Sequence, residues 1–382
     1  MLLDKNNTLL INLLVLQQCF GAGSYKAVTV YEILKSNNLL NIPIDNIKWP
    51  ENFDARDIKK IKSISTSKIY KIINDCIKNN ISILTIEDKN YPERLRNISE
   101  PPIVLYIKGE FPDIDEEPTI CIVGPRKVSE FGKKAAYSLS KRLAKSGIII
   151  VSGGALGTDT CAHSGALNAN GRTIAVLGCG ICYNYLPENR KLREAVADSC
   201  CIISEHPPYT STTKYCFPIR NRLMAALALG TIVIEAGEKS GALITARHAN
   251  EQGRDVFVIP GNPTYPQYKG SNNLLRDGAL PLIDASDIFN RYIVQYFEKI
   301  DIKKAFEKEK KKKVLSKIQK KLPMGLSIES EMVYNNLNKQ KFMADDLLSL
   351  GISDDKLIAA LTELEMEHVI RALPGGMYEL IK

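Results

Sequence analysis

The sequence predicts an α/β protein: a doubly wound, mostly parallel sheet, with a small helical domain before it and a winged helix after it. Three observations predict this. From Thr119 to Ile283, short apolar β-branched runs alternate with stretches of helical spacing, as in parallel strands covered on both faces by helices. Those strands end in glycine-rich turns, where such sheets keep their ligand sites. The flanking segments lack the alternation and read as helices, the last of them closed by a hairpin.

Residues 1–80 form the expected helical domain. L-L-I-N-L-L-V-L-Q-Q-C-F has helical spacing and breaks at Gly21-Ala22-Gly23; a second helix, Tyr25 to Leu34, follows. Ile61 to Lys78 closes the domain, with Ile61, Ile64, Ile69, Ile72 and Ile73 as its core face. Helix, Gly-x-Gly, helix is the outline of a hairpin that offers N–H groups to a phosphate, and more often that of a purely structural bundle.

Residues 81–300 form the expected Rossmann-like domain. Ile81 to Thr85 and Ile103 to Ile107 are a lead-in pairing onto the sheet edge, and Thr119 to Gly124 opens the main sheet. A helix over Gly132 to Ser146 leads to strands at Ile148 to Val151, Thr173 to Leu177 and Cys200 to Ser204. Met224 to Leu229, Thr231 to Ile234, Ala242 to Glu251 and Val256 to Ile259 continue as helix, strand, helix, strand; Asn272 to Asp277 and Leu280 to Ile283 finish the sheet. Residues 301–325 read as a basic linker and 326–382 as a winged helix. The latter has helices near Glu329 to Leu337 and Ala344 to Leu350, a third capped by Ser353, and a hairpin turning at Gly375-Gly376.

A length of 382 residues accommodates two or three domains, and a net charge of +8 permits a polyanionic partner. No 18-residue apolar run occurs, and the N-terminus has no signal-peptide pattern, so a cytoplasmic protein without membrane contact is expected. The nine cysteines fall in apolar strands and small-residue turns, the pattern of reduced thiols.

Gly124-Pro-Arg-Lys127 sits where the first main strand becomes a loop; Arg126 offers phosphate a planar fork, or is a solvated arginine. Ser152-Gly153-Gly154 leads directly into a helix whose start favours an anion. This run is not G-x-G-x-x-G and lacks the Gly-Lys-Ser/Thr of a P-loop, so neither a dinucleotide cofactor nor ATP hydrolysis is expected. Ser240 and Gly241 begin another helix of the same kind. Lys214 to Arg222, K-Y-C-F-P-I-R-N-R, combines cations with aromatic rings, the chemistry of single-stranded nucleic acid; Phe217 is alternatively a packing plug. Cys179-Gly-Ile-Cys182 is a lone pair and Cys161 with His163 is another, so no metal is expected. Asp159, Glu205 and Glu235 read as helix caps or arginine partners rather than catalytic groups. The third helix of the C-terminal domain carries Asp354, Asp355, Glu363, Glu365 and Glu367 against Lys356, a face that repels phosphate and suits a protein contact or a structural role.

The motifs G-P-R-K, S-G-G-A-L-G-T-D with Ala162-His163, L-P-E-N-R (186–190), F-P-I-R-N-R, S-G-A-L-I-T-A-R with E-Q-G-R, and I-P-G occur in one order. Together they resemble the DprA/Smf family of bacterial DNA-processing proteins along nearly the whole chain. The resemblance implies a homodimeric single-stranded DNA (ssDNA) binder that protects incoming strands and helps load the RecA recombinase during natural transformation, with no cofactor and no catalytic residue. It matches Arg126 to the family's phosphate-binding arginine, and Lys214 and Phe217 to a second basic residue and an aromatic contact. The chain departs from the family at Pro125, at Gly154 to Asp159, where Leu156 replaces an arginine, and at His206. The residues expected to contact nucleic acid are Arg126, Lys127, Ser152, Gly153, Gly154, Lys214, Phe217, Arg220, Asn221, Arg222, Ser240 and Gly241. The competing reading is a nucleotide-processing enzyme of the related Rossmann-like phosphoribohydrolase type, whose P-G-G-x-G-T-x-x-E run is absent.

Overall fold

Polar caps and apolar spacing set the first four helices. Asn7 accepts from Leu10 N at the start of α1 (Thr8–Phe20), and Ser24 caps α2 (Tyr25–Ser36). Asp54 caps α3 (Ala55–Lys62), and α4 (Thr66–Lys78) buries Ile69, Ile72 and Ile73 beside Ile61 of α3. The computed structural model describes residues 7–51, 53–307, 326–337, 341–350 and 352–381. The chain divides into two compact units, Met1–Glu307 and Lys308–Lys382.

After the helices come β1 (Ser82–Thr85), the short α5 (Glu93–Arg96) and β2 (Val104–Gly109). The main sheet follows as β3 (Thr119–Val123), α6 (Glu130–Lys145), β4 (Ile149–Ser152), α7 (Thr158–Asn168), β5 (Thr173–Leu177), α8 (Arg190–Ser199) and β6 (Cys201–Ser204). Then come α9 (Cys216–Leu227), β7 (Gly230–Val233), α10 (Ala242–Glu251), β8 (Asp255–Val258), α11 (Lys269–Arg276), β9 (Leu280–Pro281), α12 (Ala285–Tyr292) and α13 (Ile302–Phe306). The nine strands lie in the order β1-β2-β6-β5-β4-β3-β7-β8-β9. Pairs from β6 to β9 are parallel, whereas β2 joins β6 and β1 joins β2 antiparallel. The lead-in therefore extends the sheet at its edge, as expected. Strands β3 to β7 are buried on both faces, which is why they read as continuous apolar runs.

Of residues 301–325, the first seven belong to this unit. Asp301 caps α13, Ala305 is buried, and the Phe306 ring meets Phe289 edge-on at 6.0 Å. Residues 308–325 lie outside the described residues.

The second unit holds α14 (Ile328–Asn336), β10 (Lys341–Met343), a 3₁₀ segment (Ala344–Leu350), α15 (Asp354–Met366), β11 (Ile370–Leu373) and β12 (Met377–Leu380), with sheet order β10-β12-β11. Two expectations are corrected. Ala344 to Leu350 is 3₁₀ rather than α-helix, and a third strand joins the hairpin. Asp346 takes the Met343 N–H at 3.0 Å at the start of the 3₁₀ segment, and the Phe342 ring stacks on Tyr378 at 5.8 Å, drawing 341–343 into the sheet. All nine cysteines are free. Among the described residues no helix is long and apolar enough to cross a membrane.

Candidate nucleic-acid interface

The strand order reverses between β3 and β7, since connections from β3 run towards β6 and those from β7 towards β9. Above the carboxyl ends of these strands opens a cleft of about 480 Å³. Its walls are Gly124 to Arg126 after β3, Ala155 to Asp159 after β4, the cleft face of α9, and Gly237 to Ala242 leading into α10.

Local sequence fixes each wall. Ser129 caps α6 by accepting from Gly132 N at 3.0 Å. Glu235, beyond β7, accepts from Ser129 N at 3.1 Å, from Ser129 Oγ, and from Tyr268 OH at 3.1 Å, so it ties both sides of the strand-order reversal together. Thr158 donates to Pro125 O through N and Oγ1, at 3.3 and 3.2 Å. This close approach demands glycine at 157, where φ is +82° and a Cβ would stand 2.3 Å from Arg126 O.

The floor is an arginine and a carboxylate. Arg220 is 6% exposed and donates from Nη1 to Val176 O at 2.6 Å. It presses onto Gly153, where a Cβ would lie 1.8 Å from Nη1. Asp159 is buried nearby and accepts from Ala155 N at 3.2 Å. Burial pushes the Asp159 carboxyl up, and the Arg220 charge opposes that; burial likewise lowers Arg220, opposed by Asp159.

The rim is cationic and aromatic. Arg126 is exposed and its guanidinium lies 4.8 Å over the ring of Phe217, which Tyr185 meets at 5.7 Å. Across the cleft Ser240 Oγ accepts from Ala242 N at 3.3 Å, and Asn221 Nδ2 reaches Gly241 O at 3.4 Å. Lys239 is exposed on that wall.

Of the twelve expected contact residues, Arg126, Phe217, Arg220, Asn221, Ser240 and Gly241 line the cleft. Lys127 and Lys214 are exposed but not among its lining residues; the Lys214 ammonium lies 5.2 Å over the Tyr215 ring. Four expectations are corrected. Ser152 is fully buried and donates to Ile122 O at 2.8 Å. Gly153 and Gly154 are buried, and the anion held at this helix start is the chain's own Asp159 rather than a ligand. Arg222 is buried against Glu205 at 2.6 Å.

His163 is enclosed with Nδ1 2.8 Å from Thr173 Oγ1, and burial pushes its pKa down to about 3. Cys179 is buried, which pushes its thiol up to about 11. Sequence reasoning missed two residues. Lys239 gave a signal in its adjacency to Ser240-Gly241. Asn189, inside L-P-E-N-R, holds the β4–α7 loop by donating to Gly154 O, Ala155 O and Thr160 Oγ1 at 3.3, 3.1 and 2.9 Å.

A family model described as DNA recombination-mediator protein A matches residues 82–293. The DNA processing protein DprA of Bacillus subtilis is 38% identical over 234 residues, covering 60% of this chain and 79% of its own length. DprA of Streptococcus pneumoniae is 34% identical over 280 residues, covering 69% and 99%. The X-ray structure of Streptococcus pneumoniae DprA superimposes with a TM-score of 0.63 at 29% identity, over 73% of this chain and 97% of that one. A structure of DNA processing protein A from Helicobacter pylori, described as giving insight into its single-stranded DNA binding mode, superimposes with a TM-score of 0.51 at 31% identity, over 56% and 97%.

Proposed function

The chain belongs to the DprA/Smf family of DNA-processing proteins, and from that premise we propose that it binds single-stranded DNA in the cleft between β3 and β7. The observation that carries the reading is the guanidinium of Arg126 seated on the ring of Phe217 at the mouth of a cleft whose far wall is a helix start beside Lys239. A phosphate is taken by Arg126 on one side and by Lys239 on the other. Neighbouring bases lie against the Arg126–Phe217 stack, which selects no particular base because every base has a π-face. Lys127 and Lys214, exposed outside the cleft, extend the track for the backbone.

The protein is on this reading a stoichiometric binder rather than an enzyme. Among the described residues lining the cleft Asp159 is the one carboxylate, and it is held by Ala155 N and offset by Arg220. Protection of incoming strands, hand-over to the RecA recombinase, a homodimeric state and a cytoplasmic site of action are parts of the same proposal. They are supported by family membership and by the recombination-mediator description of the matching model.

The deciding experiment titrates the protein with ssDNA and duplex of equal length across a range of salt. Single strands should bind more tightly, without marked sequence preference, and log K should fall with log salt by about 0.7 per phosphate contacted. Duplex preference or insensitivity to salt would overturn the reading. Release of free base from a nucleotide would replace the binder by an enzyme.

A further inference from the structure

The turn Gly21-Ala22-Gly23 offers a ligand little, because the Gly23 N–H already donates to the Glu205 carboxylate at 2.8 Å. What the turn touches instead is α9. We propose that this turn, with Glu205 and Arg222, positions α9 from behind and thereby sets the affinity of the cleft for single strands, an inference that rests on the ssDNA reading above.

Glu205 stands at the centre of the contact. One carboxylate oxygen accepts from Gly23 N, the other from Arg222 Nη2 at 2.6 Å, and both charged side chains are buried. Its backbone oxygen accepts from Gln17 Nε2 of α1 at 2.9 Å. The same Nε2 reaches Val104 O at 3.1 Å, while Tyr106 OH donates to Gln17 Oε1 at 2.7 Å. The end of α1 is thus fixed to β2, to the end of β6 and, through Arg222, to α9. The turn also bears on α9 directly. Gly23 has φ +65°, and a Cβ there would stand 2.5 Å from Ile219 Cγ2.

Helical spacing turns this contact into control of the cleft. Ile219 and Arg222, three apart, share the rear face of α9. Phe217, Arg220 and Asn221, at i, i+3 and i+4, share the face that lines the cleft. A shift of the helix at its rear therefore moves the ring and the buried guanidinium together, and Arg126 rides on that ring.

The test uses the full chain, fluorescein-labelled oligothymidylate, and two independent variants. Glu205→Gln deletes a negative charge, which by electrostatics alone strengthens attraction for a polyanion. It also leaves Arg222 buried without its counter-charge, since Nη1 already has no partner. If the carboxylate positions α9, affinity falls about five- to tenfold against the charge effect, with the salt slope unchanged. Unchanged or increased affinity in folded Glu205→Gln overturns the inference. Gly23→Ala drives a methyl into Ile219, and Ile219→Ala in the same chain removes the atom it strikes. Affinity should fall in the single variant and return in the double. The melting temperature should stay lowered in both, because the left-handed backbone strain at position 23 persists. Failure of the double variant to recover affinity overturns the positioning role, and this pair decides alone if Glu205→Gln does not fold. Wild-type protein that leaves the oligonucleotide unbound overturns the single-strand reading itself. Wild-type binding with all variants unchanged overturns only the positioning role.

Discussion

Arg126 and Phe217 come from different walls of the cleft, yet one lies 4.8 Å over the other, so removing either disturbs both. Arg126→Ala should weaken binding to all sequences and flatten the salt slope by about 0.7, the signature of one lost phosphate. Phe217→Ala should cost about 1–3 kcal/mol of binding and leave the slope nearly unchanged. Their double variant should lose less than the sum, because each single change already breaks the stack; anisotropy titrations of the four proteins measure the coupling. Strictly additive losses would show that ring and guanidinium act separately. The half-buried Phe217, with Arg126 above it and Tyr185 beside it, combines the packing and contact roles that its sequence left open. The cations and aromatics of the rim were legible because their types and clustering carry chemistry by themselves. Ser152 and Arg222 were not, because a polar residue type does not reveal whether its partner is a ligand, a distant carbonyl or a carboxylate just past the end of a strand.

The helix start after β4 shows the same limit for a whole element. Glycine N–H groups preceding a helix look alike in sequence whether they hold a phosphate or, as here, Asp159 from the helix's own first turn. Strands and helices of the main sheet were legible from periodicity, whereas β10 was too short to show any. Helix α7 also carries a testable titration. Burial, aided by the charge of Arg220, holds His163 at about 3 when folded, whereas an unfolded histidine titrates near about 6.5. Between those values the unfolded chain binds more protons, so stability falls as pH drops from about 6.5 towards about 3, by at most about 1.4 kcal/mol per pH unit. His163→Gln should flatten that dependence. Urea unfolding of both proteins across this range measures the difference, and parallel curves would show that His163 is not buried neutral.

Over the whole molecule, the first unit is compact by itself and contains the entire cleft. In the second unit α15 begins with Asp354 and Asp355, and the ammonium of Lys356 is paired with Glu329 at 2.9 Å, leaving that helix little to attract a phosphate. A chain lacking Ser327 to Lys382 should therefore fold, melt cooperatively, and bind ssDNA with the affinity and salt slope of the full chain. Loss of binding by that shortened but folded protein would place DNA contacts in the second unit. The alternation of strands and helices made the parallel sheet legible, but not its order. Which strand neighbours which depends on crossovers such as the return from β6 to β7, and no local pattern encodes those.

That order also has a consequence for synthesis. Strand β3 leaves the ribosome long before β7, its neighbour in the sheet, and Arg126 long before Lys239 and Gly241 on the facing wall. At translation rates of about 5–20 residues per second, the nascent chain spends roughly five to twenty seconds with that edge of β3 unpaired, a period in which it is open to wrong pairing. A product aborted before β7 keeps the Arg126–Phe217 side of the cleft but lacks the wall that carries Lys239 and Gly241.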